Sequence, residues 1–172
     1  MFSTARLDVE VGQIKRLYAR SVLSSLSSGA SQPFIAVYAA VLGASSSQVG
    51  FLHAVNNLAA NALQPVWGFL SDKKGSRVKP IFYSTLISSL LWVPIILVGE
   101  PAVYIALVGV QFIVASVSAP LYTALIGEIV PLAVRSMVTA TINFWGQVGS
   151  IISTLAVGIV SLVGLPGYQL GF

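Results

Sequence analysis

The sequence is poor in charge and has no cysteine. Of its 172 residues, nine are Lys or Arg and five are Asp or Glu, so charged residues make up 8% of the chain. An ordinary soluble domain carries about 25%. A soluble protein of this size needs a charged skin, and this chain lacks the residues to build one. The absence of cysteine excludes a disulfide framework and thiol chemistry. The few acids are badly placed for a proton relay inside a membrane: Asp8 and Glu10 precede the apolar sequence, and Asp72, Glu100 and Glu128 sit at its interruptions. No nucleotide-binding loop, metal-ligand cluster or nucleophile–base arrangement occurs. An enzyme is therefore not expected, and neither is a cofactor or a bound metal. The first twenty residues, MFSTARLDVEVGQIKRLYAR, lack an apolar core and a small-residue cleavage site, so a cleavable signal is not expected there.

What is present is apolar. The chain is 56% hydrophobic, with a mean hydropathy of +0.88. Lipid is the solvent that suits such a composition, and in lipid the backbone must close its own hydrogen bonds, which selects helices. The expected fold class is all-α, a polytopic transmembrane helix bundle. A sequence pI near 9.6 would suggest nucleic acid for a soluble protein. Here the positive charge is better explained by orientation in the membrane, and no nucleic-acid partner is expected.

Five stretches reach the length of about 20 residues that crosses a bilayer. They run over about 21–42, 48–70, 81–98, 102–126 and 134–163. The fifth exceeds a minimal span, so it tilts or projects into the cytoplasm. Residues 1–20 then form a cytoplasmic N-terminal segment and 21–163 the bundle. The stretch 164–172 reads as an external tail or the start of a missing sixth span. The links are short and punctuated by Gly43–Ser47, Gly75–Pro80, Gly99–Pro101 and Pro131. Pro33, Pro65, Pro94 and Pro120 lie inside the first four spans, where kinks are expected.

Lysine and arginine set the orientation. Arg6, Lys15, Arg16 and Arg20 precede the first span. Lys73, Lys74, Arg77 and Lys79 lie between the second and third, and Arg135 lies between the fourth and fifth. The bias places the N-terminus in the cytoplasm and the end of the fifth span outside. The cell membrane is the expected location.

Polar side chains recur at helical spacing within the spans. The stripes are His53, Asn57, Asn61 and Gln64 in the second, Gln111, Ser118 and Tyr122 in the fourth, and Ser136, Thr139, Asn143, Gln147, Ser150 and Thr154 in the fifth. The first span carries Ser24, Ser28, Ser31, Gln32 and Tyr38 over a broader face. A buried amide facing lipid costs several kcal/mol, roughly 4–8 on hydrocarbon scales, so these faces must meet helices or water. One reading is a polar substrate cavity walled by Gln32, Asn57, Asn61, Gln111, Tyr122, Asn143 and Gln147, with the third span at the periphery. The other is interhelical hydrogen bonding, worth only about 0.6 kcal/mol per pair on average. His53, the one histidine, reads as an interfacial polar residue more readily than as a proton-coupling group.

The link after the second span reads Gly68-Phe69-Leu70-Ser71-Asp72-Lys73-Lys74-Gly75-Ser76-Arg77. It resembles the signature loop between helices two and three of the major facilitator superfamily. Gly68, Leu70, Asp72, Lys73, Gly75 and Arg77 match that pattern, and Ser76 stands where the family usually has a basic residue. A second, weaker resemblance lies in Glu128, Pro131 and Arg135 after the fourth span, and implies that Arg135 pairs with an acid such as Asp72 or Glu128. Two departures speak against drug–proton antiport. The fourth span holds no arginine, and Ser150 follows Gly149 where the family's drug antiporters carry proline.

The resemblance implies the N-terminal half of a secondary transporter, truncated at five spans, that moves a small solute by alternating access. It makes Gly68, Asp72, Lys73, Gly75, Arg77, Glu128 and Arg135 a cytoplasmic gating motif. Implied partners are membrane lipid, a small-molecule solute, a coupling ion in coupled members, and a C-terminal half or another membrane chain. The rival is a non-transporting remnant or partner subunit. A channel ranks third, because no selectivity ring is evident. Five spans alone are not expected to transport, since alternating access needs two bundles around a midplane site.

The orientation is checked by reporter fusions. A reporter placed after Lys79 or Arg135 is expected in the cytoplasm, and one after Ser46 or Glu100 outside. A cytoplasmic reporter at Glu100 would overturn the arrangement.

Overall fold

The computed structural model describes the backbone of residues 4–163, and side chains within 15–160 apart from that of Lys74. Among the described residues the chain is all-α. Helix α1 spans Thr4–Val41, α2 Ser46–Asn57, α3 Gln64–Lys74, α4 Val78–Leu97, α5 Pro101–Ala115, α6 Ser118–Ile129 and α7 Leu132–Val163, with one π-helical turn at Leu58–Ala62. The expectation for 164–172 lies outside the described residues. Helix α1 shows no break at the expected boundary near residue 20. Its 38 residues make about 57 Å, well beyond a hydrocarbon core of about 30 Å.

The chain divides into two compact units. One holds α1 up to Ile35, the end of α6 from Ile126, and α7; the other holds Ala36–Leu125. The first has Leu17, Ile35, Ile126, Val130, Val138 and Ile142 at its core. In the second, α5 packs against α2 and α4. Its Tyr104, Ile105, Val108 and Phe112 are buried with Leu52, Ile81, Ile95 and Leu121. Tyr104 meets Tyr38 edge-to-face at 5.2 Å between ring centres. The face of α4 bearing Phe82, Leu86, Leu90, Val93 and Leu97 stays exposed, as lipid-facing side chains must.

Helix ends follow the local chemistry that the links advertise. Gly43 at φ 88° and Gly75 at φ 62° end α1 and α3 in the left-handed conformation that a Cβ disfavours. Ser45 opens α2 with a capping box: the Gln48 backbone N–H donates to Ser45 Oγ at 3.3 Å, and the Ser45 N–H donates to Gln48 Oε1 at 2.8 Å. Pro101 starts α5, where its missing N–H costs nothing.

The expected spans correspond to helical segments, but not all are simple rods. Among the described residues, three segments are long and apolar enough to cross a membrane: Val78–Leu97, Pro101–Ile129 and Leu132–Val160. The first two expected spans fall short for different reasons. In α1 the serines from Ser21 to Ser31 and Gln32 dilute the hydropathy. The second is split into helices of 12 and 11 residues around the π turn. Pro65 is the cause. It has no N–H to offer the Asn61 carbonyl, so the ladder is re-registered, with the Leu63 N–H bonding Leu58 O at 3.2 Å. Pro120 acts likewise on the carbonyl of Ser116, and α5 gives way to α6 at Ser116–Val117.

Removing the α2 cap by Ser45→Ala is expected to lower stability by about 1 kcal/mol. Ser46→Ala, one position on, should be near neutral. Thermal unfolding in detergent compares the two.

Candidate functional site

The polar site that forms lies within the first unit, between α1 and α7. Small residues let these helices approach closely. A Cβ on Gly29 would lie 2.7 Å from the Ser150 Cα, one on Gly146 would lie 2.9 Å from the Ser25 Oγ, and one on Gly149 would touch Leu26 at 3.6 Å. Such small-residue seams join helices in membranes because close backbones gain van der Waals contact and side-chain-to-carbonyl bonds. Ser153 Oγ donates to Leu26 O at 2.6 Å, Thr154 Oγ1 to Gly29 O at 2.8 Å, and Ser21 Oγ to Ile142 O at 3.5 Å.

Beside this seam is a cleft of about 250 Å³, lined by Ser21, Ser25, Ser28, Ile142, Asn143, Gly146, Gln147 and Ser150. Gly146 supplies a floor without a side chain, and hydroxyls and amides form the walls. None of the lining residues is ionisable. Ser28 spends its proton on the Ser24 carbonyl at 3.0 Å, which leaves its oxygen free to accept. The exposed amides of Asn143 and Gln147 have no hydrogen-bond partner among the described residues, so both donors and acceptors are available. The arrangement binds by hydrogen bonds. It holds no general acid, base or metal-ligand set.

The sequence-derived cavity residues divide. Asn143 and Gln147 meet in this cleft. Gln32, on the same helix as the serines, is exposed and outside its lining. Asn57 and Asn61 are exposed in the second unit, where Asn61 Nδ2 donates to Asn57 O at 3.0 Å and ties the π turn. Tyr122 is half-buried on α6. Gln111 is 6% exposed and packs inward, its Nε2 donating to Ser88 Oγ of α4 at 3.1 Å. Ser118 likewise meets Ser84 of α4 at 3.0 Å. The third expected span thus receives the polar stripe of the fourth on Ser84 and Ser88, while most of its surface remains exposed. Ser21 and Ser25 are cleft residues that periodicity missed. Serines surround α1 on most sides, so only packing against α7 selects a face.

The signature loop belongs to the second unit. Arg77 Nη2 lies 3.0 Å from Asp72 Oδ1, with Asp72 largely exposed. Such a surface pair contributes about 0–1 kcal/mol. Lys73 is exposed, and Gly75 supplies the left-handed turn. A Cβ on Gly68 would meet nothing within 4 Å in this chain. Glu128 is exposed on the last turn of α6. Arg135, in the first unit, turns to the backbone at the end of α6. Its guanidinium bonds the Gly127 carbonyl, and bonds Val130 O from Nε at 3.4 Å and from Nη2 at 3.3 Å. A cation there satisfies terminal carbonyls at the negative end of the α6 dipole.

Helical segments long and apolar enough to cross a membrane mark a multi-pass membrane protein. The family model of the Major Facilitator Superfamily matches residues 18–172, and the chain belongs to that superfamily, whose members are transporters rather than enzymes. No curated protein and no solved structure matches the chain.

Gly29→Ala sets a methyl against the Ser150 backbone, which cannot rotate away as a side chain would. It is expected to cost about 1–3 kcal/mol. Gly50→Ala, with nothing within 4 Å of the added Cβ, should not destabilise. Melting temperatures in detergent test the contrast.

Proposed function

We propose that the chain forms one wall of an alternating-access carrier for a small, uncharged solute, recognised in the α1–α7 cleft. The observation that carries the reading is the lining itself: serine hydroxyls and two amides around about 250 Å³, with no ionisable side chain. A charged solute entering from water loses solvation that an opposing charge restores best, and none of the lining side chains carries one. A neutral solute bearing hydroxyl or amide groups exchanges its water hydrogen bonds for those of Ser25, Asn143, Gln147 and Ser150. The volume, below the range of drug-sized pockets, suits a small molecule.

The rest of the proposal follows the family's mechanics. The chain crosses the cell membrane five times with its N-terminus cytoplasmic, and a C-terminal half or another membrane chain supplies the opposite wall. The loop of Gly68, Asp72, Lys73, Gly75 and Arg77 acts at the cytoplasmic gate, with Glu128 and Arg135 at the neighbouring helix ends. Where a coupling ion takes part, its site lies in residues other than the cleft lining.

Cysteine labelling tests the cleft, and the absence of native cysteine gives a clean background. Asn143→Cys and Gln147→Cys are expected to react with a water-soluble maleimide in proteoliposomes, while Val108→Cys, fully buried, should not. Neutral polyols or amides should protect the two reactive sites, and carboxylates or amines of equal size should not. Equal protection by charged solutes, or no reaction at either site, overturns the assignment.

A further inference from the structure

Two helices of the second unit are broken, and both breaks have the same cause. Pro65 stands four residues after Asn61 and Pro120 four residues after Ser116, so each proline denies its partner carbonyl the usual bond. The first break is stabilised locally. Asn61 Nδ2 donates to Asn57 O, and the Gln64 side-chain amide donates to the Ala60 carbonyl. The second is stabilised by Ser116, whose Oγ donates to Ile113 O at 2.7 Å.

A single side chain joins the two breaks. Trp67, two residues beyond Pro65, donates its indole N–H to Ser116 Oγ at 2.9 Å. Because Ser116 gives its own proton to Ile113, it has a lone pair ready for Trp67. The result is a directed chain from α3, through the hydroxyl at the second break, into the last turn of α5. Such chains polarise each bond and strengthen it. Beside this bond is a half-open cleft of about 120 Å³, lined by Trp67, Leu70, Ser71, Pro80, Val117 and Leu121. The Ser71 hydroxyl on its wall is 3% exposed and has no hydrogen-bond partner among the described residues. Packed interiors rarely leave such a group unpaired. Space on one side of the contact and an unsatisfied hydroxyl beside it mark an arrangement with a second packing in reach.

We propose that the Trp67–Ser116 hydrogen bond is a latch that couples the two proline breaks, so that α3 and the start of α6 move as one piece against the packed α2–α5 pair. Hinges of this kind sit at element ends that absorb backbone rotation. Here the ends are the π turn and Ser116–Val117. The moving piece carries Gly68 and Asp72 of the signature loop on α3. Its displacement closes the cleft and brings the Ser71 hydroxyl to a carbonyl partner. The inference does not rest on the solute proposed for the α1–α7 cleft.

Hydrogen exchange on the full chain in lipid nanodiscs tests the latch. Trp67→Phe keeps an aromatic ring, though a smaller one, and removes the donor, and Ser116→Ala removes the acceptor. Each is expected to speed exchange about five- to tenfold in both 64–74 and 116–125, leaving 101–112 unchanged. The double variant should exchange no faster than either single one, and Ser116→Thr, which keeps the hydroxyl, should restore protection. Ser88→Ala breaks the Gln111 contact instead and should leave both segments as they were. Loosening confined to the segment that bears the substitution, or additive effects in the double variant, overturns the coupling. If Trp67→Phe fails to insert, the response of 64–74 to Ser116→Ala decides the matter alone.

Discussion

Every carbonyl and amide of this chain that lies in lipid has to find a partner within the protein, and the rest of the structure follows from how that requirement is met. Where the sequence is free of proline, the helix ladder meets it without help, as in most of α4 and α7. Where proline interrupts the ladder, side chains replace the missing donors: Asn61 and Gln64 at the first break, Ser116 at the second. Arg135 does the same at the end of α6, bonding the carbonyls of Gly127 and Val130. Several polar side chains within the spans are thus committed to backbone repair.

That commitment separates polar residues bonded within the fold from those whose hydrogen bonds stay open. Gln111, Ser118, Ser84 and Ser88 pair across helices of one unit. Ser153 and Thr154 bond carbonyls of α1. Against this background the uncommitted amides of Asn143 and Gln147 carry the functional reading, because their hydrogen bonds are available and they share a cleft with a glycine floor. The glycines serve the same end. Gly29, Gly146 and Gly149 bring two backbones close enough for hydroxyls to reach across, and the cleft opens beside that close approach.

The sequence showed its class through charge scarcity, and its family through the loop from Gly68 to Arg77, which the match over residues 18–172 bears out. The limits of α4, the start of α7 and the left-handed turn at Gly75 were legible within a few residues because apolar length, proline and glycine act locally. The count of five simple spans was less secure. Serines in α1 and the break at Pro65 leave three segments that qualify by length and apolarity. Arg135 bonds the carbonyls of Gly127 and Val130, a contact that nothing in the order of residues reveals.

Periodicity places a residue on a helix face but does not say what that face meets. Gln111 and Gln147 look equivalent in the sequence, each an amide within an apolar run. The tertiary structure decided that Gln111 is buried against Ser88 while Gln147 lines an open cleft. It decided also that Ser21 and Ser25, among many serines of α1, are the ones facing Gly146 and its neighbours, and that Trp67 reaches Ser116 across 49 residues. The sequence alone determined solvent, helix content and family, because these depend on composition and on neighbours in the chain. Pairing between distant segments depends on which small residues let two helices approach, and that is settled only when the helices pack.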